Sequence, residues 1–254
     1  MTSPGDDRAQ AAAAFLIAAR RSEPGPALPE ALRPASEAEA YAIQDAVAAE
    51  FGPVAGWKVG AATPEAEPAC APLLAGTLFE SPATFDRACH PRRGIEAEIA
   101  FRIGRDLPAR ARPYDRDEVL AAIDCAFPAI ELCESRYRDP DTVDPLSMQA
   151  DNNQNAALVF GTPWRDFAGL VIDRQPVALL FDDKAVVEGM GGNTAGDLFR
   201  LVVWLANHLP GRGQALTRGQ IVTTGSWTGI RFAGDTRNVT ARFPGIGDCM
   251  LDFS

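Results

Sequence analysis

Residues 95–101 read Ile-Glu-Ala-Glu-Ile-Ala-Phe, with an apolar residue at every second position. Successive side chains of an extended strand point to opposite faces, so this period of two predicts a β-strand. Its apolar face is made by Ile95, Ala97, Ile99 and Phe101. Glu96 and Glu98 share the other face, roughly 7 Å apart along the strand. A fold that contains this strand must therefore accommodate two neighbouring carboxylates on one side of a sheet.

A second apolar run, residues 127–133, also carries a carboxylate, Glu131. Carboxylates in apolar strands repel each other and lose hydration unless a cation or a proton compensates them. If Glu131 joins Glu96 and Glu98, the three form an all-oxygen site suited to Mg²⁺ or Mn²⁺. Alternating glutamates more often mark the solvent face of a half-covered sheet, and that alternative stays open here. Glu134 falls on the opposite face if the strand continues, and is a weaker candidate.

The 254-residue chain has a net charge of −10 and an isoelectric point of about 4.7. A surface this acidic repels nucleic acids and anionic membranes, so neither is expected as a partner. A small anionic substrate would need a local cationic trap, which a bound metal supplies. The apolar run 11–19 is too short to span a bilayer, and Asp6 and Asp7 precede it where a signal peptide carries positive charge. These features predict a cytoplasmic protein.

The chain has two histidines and five cysteines. Two histidines nearly exclude a histidine-rich metal site. The cysteines are odd in number and include no Cys-x-x-Cys pair, which argues against a zinc ribbon or a disulfide framework. Cys125 and Cys133 lie in apolar surroundings, and we expect them to pack as small hydrophobic side chains.

Residues 1–53 have the pattern of a helical arm. The segment is rich in alanine and is interrupted by prolines between positions 24 and 34. Ser36 followed by Glu39 predicts a capping box at the start of a helix that runs to about Glu50.

Residues 54–254 consist mainly of short apolar segments separated by glycine and proline, which indicates strands. Two helices are expected among them, at 116–126 and 195–209. The sequence as a whole predicts an α+β fold, in which the helical arm is followed by a mixed, mostly antiparallel sheet domain.

Lys58 lies within the segment 56–60, Gly-Trp-Lys-Val-Gly, among apolar residues. A half-buried lysine either extends its amine to water or serves in anion binding or proton transfer. Lysine is rarely fully buried, which favours the solvated form on the residues alone. The polar loop 151–155, Asp-Asn-Asn-Gln-Asn, is open to turn formation or to substrate contact, and turn formation is the default.

Several of these segments occur together in one order along nearly the whole chain. In that order the chain resembles the 2-keto-4-pentenoate hydratase group of the fumarylacetoacetase superfamily. The segments that carry the resemblance are Gly56–Gly60, Gly76–Phe79, Ile95–Phe101, Pro128–Glu131, Ser135–Arg136, Ala150–Asn152, Trp204–Asn207 and Thr224–Gly229. The resemblance implies a mixed β-roll or barrel of the fumarylacetoacetase C-terminal type, with the N-terminal helical arm, and a homo-oligomer.

The resemblance also implies the residues of the site. Glu96, Glu98 and Glu131 would be ligands of Mg²⁺ or Mn²⁺, and Lys58 would be a catalytic residue. Four further residues would bind the substrate: Ser226, Thr228, Arg136 and Asp151. Such a metal would chelate the carboxylate and the 2-oxygen of a 2-hydroxy-dienoate or 2-oxo acid and stabilise the enolate that develops there.

The implied activity is hydration of a 2-hydroxy-2,4-dienoate from the breakdown of aromatic compounds. One position departs from the hydratase pattern, because Leu74 occupies the place where these hydratases usually carry an acid. A decarboxylase of an oxalocrotonate-type 2-oxo diacid needs no added water and is the first alternative. A non-catalytic homologue or complex partner is the second, since a fold does not determine function.

Overall fold

The computed structural model describes residues 4–254 of the chain. The helices in this range are α1 (Pro4–Arg20), α2 (Glu37–Phe51), α3 (Arg116–Leu120), α4 (Pro145–Ala150) and α5 (Leu198–His208). The strands are β1 (Val54–Gly60), β2 (Ala69–Leu74), β3 (Leu78–Glu80), β4 (Ala83–Phe85), β5 (Gly94–Ile103), β6 (Ile123–Cys133), β7 (Asn155–Phe160), β8 (Pro176–Phe181), β9 (Lys184–Met190), β10 (Ile221–Ser226), β11 (Arg231–Phe232), β12 (Asn238–Phe243) and β13 (Gly247–Phe253). Among residues 4–254, no helix has the length and apolar character needed to cross a membrane.

The strands form two sheets. The larger, eight-stranded sheet has the order β2-β1-β10-β5-β6-β7-β3, with β11 paired to the start of β5. The five-stranded sheet has the order β4-β13-β12-β8-β9. Three of the pairs are parallel, namely β1–β10, β3–β7 and β4–β13, and the others are antiparallel. The predicted α+β class with a mixed, mostly antiparallel β-roll and N-terminal helices is confirmed.

Both faces of the central strand β5 are covered. The apolar face predicted from the sequence is confirmed, because Ile95, Ala97, Ile99 and Phe101 are all buried in the main core together with α5 and the second sheet. The opposite face of the large sheet has its own apolar cluster, which we call the inner cluster. Its buried members are Leu73, Ala100, Cys125, Phe127, Ala129, Leu158 and Ile221. Any polar side chain on this inner face is thus surrounded by protein.

Helices α1 and α2 pack on each other and build a third apolar cluster with Tyr137 and Ala150. Helix α2 begins as predicted, because Ser36 accepts a hydrogen bond from the Glu39 N–H group. The Glu39 side chain accepts from the Ala35 N–H group at 2.7 Å, so the reciprocal half of the predicted capping box lies one residue earlier. The division into 1–53 and 54–254 stays a prediction, and β1 begins at Val54.

Two helix predictions are wrong in extent. The segment predicted as a helix over 116–126 contains a short helix, Arg116–Leu120, and then enters β6 at Ile123. A short apolar segment fits a buried strand as well as a buried helix, because a strand or helix in the core is surrounded by protein on every side. The predicted helix 195–209 begins later, at Leu198, where the Asp197 side chain accepts from the Phe199 N–H group and caps the helix.

Candidate active site

The three glutamates predicted as metal ligands lie together on the inner face of the large sheet. Glu96 in β5 stands directly opposite Glu131 in β6 in the antiparallel ladder, and Glu98 follows two residues along β5. Only 1% of Glu98 and 0% of Glu131 is exposed to solvent, and Glu96 is half-buried. The alternative of a solvent-facing row of glutamates is therefore wrong for Glu98 and Glu131. The strand pairing brings three carboxylates into one buried site.

Lys58 joins this cluster from strand β1. Its Nζ donates to Glu131 Oε1 at 2.5 Å and to the Asn153 carbonyl oxygen at 3.1 Å, and 16% of its side chain is exposed. Strands β1 and β6 are three steps apart in the sheet, which is about 14 Å at the usual strand spacing. A lysine side chain is much shorter than that, so the sheet must curl toward the inner face. The solvated alternative for Lys58 is wrong, because its amine is held by Glu131.

The carboxylates outweigh the Lys58 ammonium group in charge. Burial raises the pKa of Glu98 well above its usual value, and Glu131 and Glu96 raise it further. Burial and the charge of Glu131 likewise raise the pKa of Glu96. Burial alone would lower the pKa of Lys58, but the carboxylates, Glu131 first, hold it above its usual value. The lysine is therefore charged, and ionisation of all three carboxyl groups would leave the cluster with an excess of negative charge, which adds to burial in raising the pKa values of Glu96 and Glu98.

The hydrogen bonds of the cluster leave one buried oxygen free. Glu98 Oε2 accepts from the Thr223 hydroxyl and from the Gly225 N–H group at 3.1 Å. Glu131 Oε1 accepts from Lys58 and from Asn155 Nδ2 at 3.0 Å. Glu131 Oε2 is buried and accepts no hydrogen bond from residues 4–254. A buried, unpaired carboxylate oxygen is costly, and a hard divalent cation would satisfy it. The donor set fits such an ion.

The polar loop 151–155 is built into this cluster. Asn152, Asn153 and Gln154 have left-handed backbone angles, with φ values of 53°, 46° and 64°. Each such residue costs on the order of 1–3 kcal/mol, and asparagine tolerates the conformation better than most residues. The loop directs the Asn153 carbonyl to Lys58 and the Asn155 amide to Glu131. Its role in the site was missed from the sequence, where the run of asparagines was the available signal.

Arg136 and Asp151 are bound to each other rather than directed at the glutamates. Both are buried, and Arg136 Nε donates to Asp151 Oδ1. Arg136 Nη1 also donates to the Asn155 carbonyl oxygen at 2.8 Å, and the Ser135 hydroxyl donates to Asp151 Oδ2 at 3.0 Å. The pair thus ties the end of β6 to the polar loop. Their predicted contact with a substrate stays a prediction.

Ser226 and Thr228 lie at the end of β10 and just beyond it. Ser226 stands opposite Glu98 in the ladder, and its hydroxyl contacts the carboxylate of Glu96. The buried Thr228 hydroxyl accepts from the Ala97 N–H group at 3.2 Å and donates to the Gly229 carbonyl at 3.1 Å. Thr228 thus fixes the backbone around the site, whereas Ser226 borders the glutamates. Substrate binding by either residue stays a prediction.

Leu74, which replaces the acid usual in hydratases, is the last residue of β2 and is 4% exposed. Its neighbour Leu73 belongs to the inner cluster. Leu74 carries no group that could transfer a proton.

Comparisons with known proteins agree with this fold. The fumarylacetoacetate (FAA) hydrolase C-terminal family matches residues 79–253. A 4-oxalocrotonate decarboxylase of Pseudomonas putida is 28% identical over 164 residues, which cover 65% of this chain and 60% of that protein. A 2-oxo-hept-4-ene-1,7-dioate hydratase of Escherichia coli is 30% identical over 210 residues, 75% of this chain and 76% of that protein.

A similar solved structure is the 4-oxalocrotonate decarboxylase from Pseudomonas putida G7, complexed with magnesium and adipate. It superposes with a TM-score of 0.83 at 23% identity, over 98% of each chain. This likeness covers the helical arm as well as the sheets and establishes the fold. Together with the match over residues 79–253, it confirms the family predicted from the sequence: the chain belongs to the fumarylacetoacetate (FAA) hydrolase C-terminal family.

Proposed function

We propose that this chain is a divalent-metal-dependent lyase that acts on a small 2-hydroxy-dienoic or 2-oxo acid, with hydration of a 2-hydroxy-2,4-dienoate as its reaction. The observation that carries the proposal is the buried cluster of Glu96, Glu98 and Glu131 with Lys58 bound to it. Structural sheets rarely bury three carboxylates, because desolvation costs on the order of several kcal/mol per ion. A cluster maintained at that cost is a candidate functional site.

Glu96, Glu98 and Glu131 would hold Mg²⁺ or Mn²⁺ through carboxylate oxygens, the ligands that these ions prefer. When bound, the ion supplies positive charge that stabilises the enolate oxygen of the substrate. The magnesium complex of the similar decarboxylase supports this choice of ion. Two of the three glutamates are held in place by their neighbours, Glu98 by Thr223 and Gly225 and Glu131 by Lys58 and Asn155. These two ligands are therefore positioned before an ion arrives.

Lys58 would bind the substrate carboxylate or carry the proton that converts the enol into the keto form. Its amine is charged and is anchored at Glu131 and at the Asn153 carbonyl, so it can donate a proton without moving far. Ser226, beside Glu96, would donate its hydroxyl to the substrate carboxylate. An anionic substrate would bind at the metal ion and at Lys58, which supply positive charge on a chain whose net charge is −10.

Decarboxylation of a 2-oxo diacid is the second candidate, and Leu74 is the observation that favours it. Hydration requires a group that activates or delivers water, and the buried Leu74 side chain cannot do so. Loss of carbon dioxide from a diacid requires stabilisation of the same enolate but no added water. The names of the relatives, which include both a decarboxylase and a diacid hydratase, are consistent with either reaction.

One pair of assays separates these candidates. The metal-free chain is loaded with Mg²⁺ or Mn²⁺ and given freshly prepared 2-hydroxypenta-2,4-dienoate or an oxalocrotonate-type diacid. Metal-dependent loss of dienoate absorbance with a hydroxy-keto product supports the hydratase, and release of carbon dioxide from the diacid supports the decarboxylase. Glu131→Gln must abolish whichever activity is found. Tight metal binding without turnover of either substrate would support a non-catalytic homologue.

We also propose that the chain forms a homo-oligomer in the cytoplasm. Strand β9 is the edge of the five-stranded sheet, and its side chains Val186 and Met190 are 45% and 66% exposed. An exposed apolar edge strand is a site where a second copy can pair. Light scattering on the purified chain measures the mass in solution, and a monomeric mass would exclude the oligomer.

A further inference from the structure

Cys133 is a fourth potential donor at the glutamate cluster. It is the last residue of β6 and lies two residues after Glu131, so both side chains point to the inner face. Its thiol donates to Glu96 Oε2 with an Sγ–O distance of 3.7 Å. Glu96, Glu131 and Cys133 each offer one ligand atom, and these three atoms lie within 4.8 Å of one another. The prediction that Cys133 packs only as a small hydrophobic side chain is incomplete, because its sulfur faces carboxylates.

A cysteine beside one carboxylate would not by itself indicate a metal site. Here the second observation is Glu131 Oε2, which is fully buried and is left without a hydrogen bond by all the residues that the structure describes. The orphaned oxygen and the sulfur belong to residues of the same cluster. A cation bound by the Glu131 carboxylate would lie within reach of the sulfur, because one ligand atom of each residue lies within 4.8 Å of the others.

We propose that Cys133 is a sulfur ligand of this site and gives it affinity for thiophilic divalent ions such as Co²⁺, Zn²⁺ and Cd²⁺. The inference rests on the proposed metal site and extends it. Sulfur ligands select softer ions than carboxylates do, so the site would accept two classes of metal. On ligation a metal–sulfur bond forms and the thiol proton passes to the solvent, with no oxidation or reduction. With hard ions such as Mg²⁺ the thiol stays protonated and the glutamates alone bind.

The consequence is a difference in metal selectivity rather than in fold. A site of three carboxylates alone would show little preference for Co²⁺ or Cd²⁺ beyond the general affinity order of divalent ions. With Cys133 as a ligand, these ions would displace Mg²⁺ at low concentration, and the sulfur would fill one of their coordination positions. Zn²⁺ and Cd²⁺ would then inhibit an enzyme that works with Mg²⁺.

The test is Co²⁺ binding followed by absorption, since a cobalt–sulfur bond gives a charge-transfer band in the near ultraviolet that carboxylate ligands do not give. The metal-free full chain is titrated with Co²⁺ as wild type, Cys133→Val and Cys133→Ser. Cys125→Val is the matched control, because Cys125 is buried in the same strand among the apolar side chains of the inner cluster. Circular dichroism verifies that each variant is folded, and absence of the band in the wild type would by itself contradict the proposal.

We expect the band in the wild type and in Cys125→Val, its loss in both Cys133 variants, and its displacement by excess Mg²⁺. Replacing a residue that only hydrogen-bonds to a metal ligand lowers metal affinity on the order of 10- to 100-fold. The loss of a ligand should cost at least as much, so the Co²⁺ dissociation constant of Cys133→Val should rise on the order of tenfold or more. If Co²⁺ competes with Mg²⁺ in the wild type without a sulfur band, Cys133 is not a ligand and the three-glutamate site stands. If neither ion binds, the proposed metal site falls as well.

Discussion

Lys58 Nζ lies 2.5 Å from Glu131 Oε1, although the two residues belong to strands that are separated by two others in the sheet. The contact crosses the inner face of the curled sheet and places a fixed positive charge beside the carboxylates. One oxygen of Glu131 anchors the lysine, and the other, which accepts no hydrogen bond from residues 4–254, is the oxygen that would bind the proposed cation. This arrangement leads to predictions about charge, strand packing and backbone conformation.

The lysine is the first target for substitution. Lys58→Met removes the charge and keeps most of the side-chain volume, so we expect turnover of the active substrate to fall on the order of 10²-fold or more, as for loss of a general acid or base. Mg²⁺ binding should persist, because the glutamates remain. Lys184, the other lysine of the chain, is exposed in β9, and Lys184→Met is the matched control. Steady-state kinetics and calorimetric Mg²⁺ titration check both, and full activity of Lys58→Met would remove its catalytic role.

Glu98→Gln should separate stability from metal binding. The glutamine keeps an oxygen that can accept from Thr223 and Gly225 and removes one of three crowded negative charges. We expect the metal-free variant to be more stable than the wild type, by on the order of 1 kcal/mol, since buried charges often cost stability. Its Mg²⁺ affinity should fall sharply. Urea unfolding with and without Mg²⁺ measures both effects, and a metal-free variant less stable than the wild type would contradict the excess of negative charge.

The left-handed loop residue Gln154 offers a test of backbone conformation. Gln154→Gly adopts a φ of 64° freely, whereas Gln154→Val is β-branched and strongly disfavours it. We expect the valine variant to lose about 1–3 kcal/mol of unfolding free energy and the glycine variant to stay near the wild type. Turnover should fall with valine, because the neighbouring Asn153 and Asn155 hold Lys58 and Glu131. Equal stability of the two variants would show that the loop relaxes.

Gly56 and Gly60 flank the lysine segment but differ in surroundings. A Cβ added at Gly56 would overlap the backbone carbonyl of Ile221, its partner in the parallel β1–β10 pair. A Cβ at Gly60 would meet its nearest atom, Gly225 Cα, at 4.0 Å. We expect Gly56→Ala to cost about 1–3 kcal/mol more than Gly60→Ala, as overpacking usually does. Chemical denaturation of the two variants measures the difference, and similar values would mean that β1 shifts at little cost.

His90 should make stability depend on pH. Burial lowers the pKa of His90 below its usual value of 6.5, and its ring packs edge-on against Phe85. The unfolded chain therefore binds the proton more readily than the folded chain. Unfolding free energy should be unaffected by His90 above pH 6.5 and should decrease as the pH falls from there through the lowered pKa. The melting temperature of His90→Gln should fall less than that of the wild type over this range, and parallel curves would contradict the prediction.

The local part of the site could be predicted from the sequence, because the alternation that places Glu96 and Glu98 on one face depends only on the geometry of a strand. The second apolar segment pointed to Glu131, and the resemblance implied the catalytic role of Lys58. The pairing of Glu96 with Glu131 depends on the register between β5 and β6, which is a non-local property that a single sequence does not specify.

Other features of the site depended on tertiary contacts that the sequence does not reveal. The polar loop 151–155 has the composition of an ordinary turn, and its role follows from where Lys58 and Glu131 meet it. Cys133 lies two residues after Glu131 along the chain, but its hydrogen bond to Glu96 forms across the ladder and depends on the pairing of β5 with β6. The helix predicted over 116–126 was wrong for a related reason, because the strand from Ile123 is stabilised by pairing with β5 rather than by local preference.

The register of β5 against β6 gives the site a further property. A shift of one strand by a single residue would turn its glutamates into the main apolar core and its apolar side chains toward the inner face. The proposed cation site would therefore form only in chains that have paired these strands correctly. Metal binding is then coupled to folding, and a divalent ion present during refolding would select the native alignment over its neighbours. Uptake of the ion would thus report on the assembly of the central sheet rather than on the helical arm.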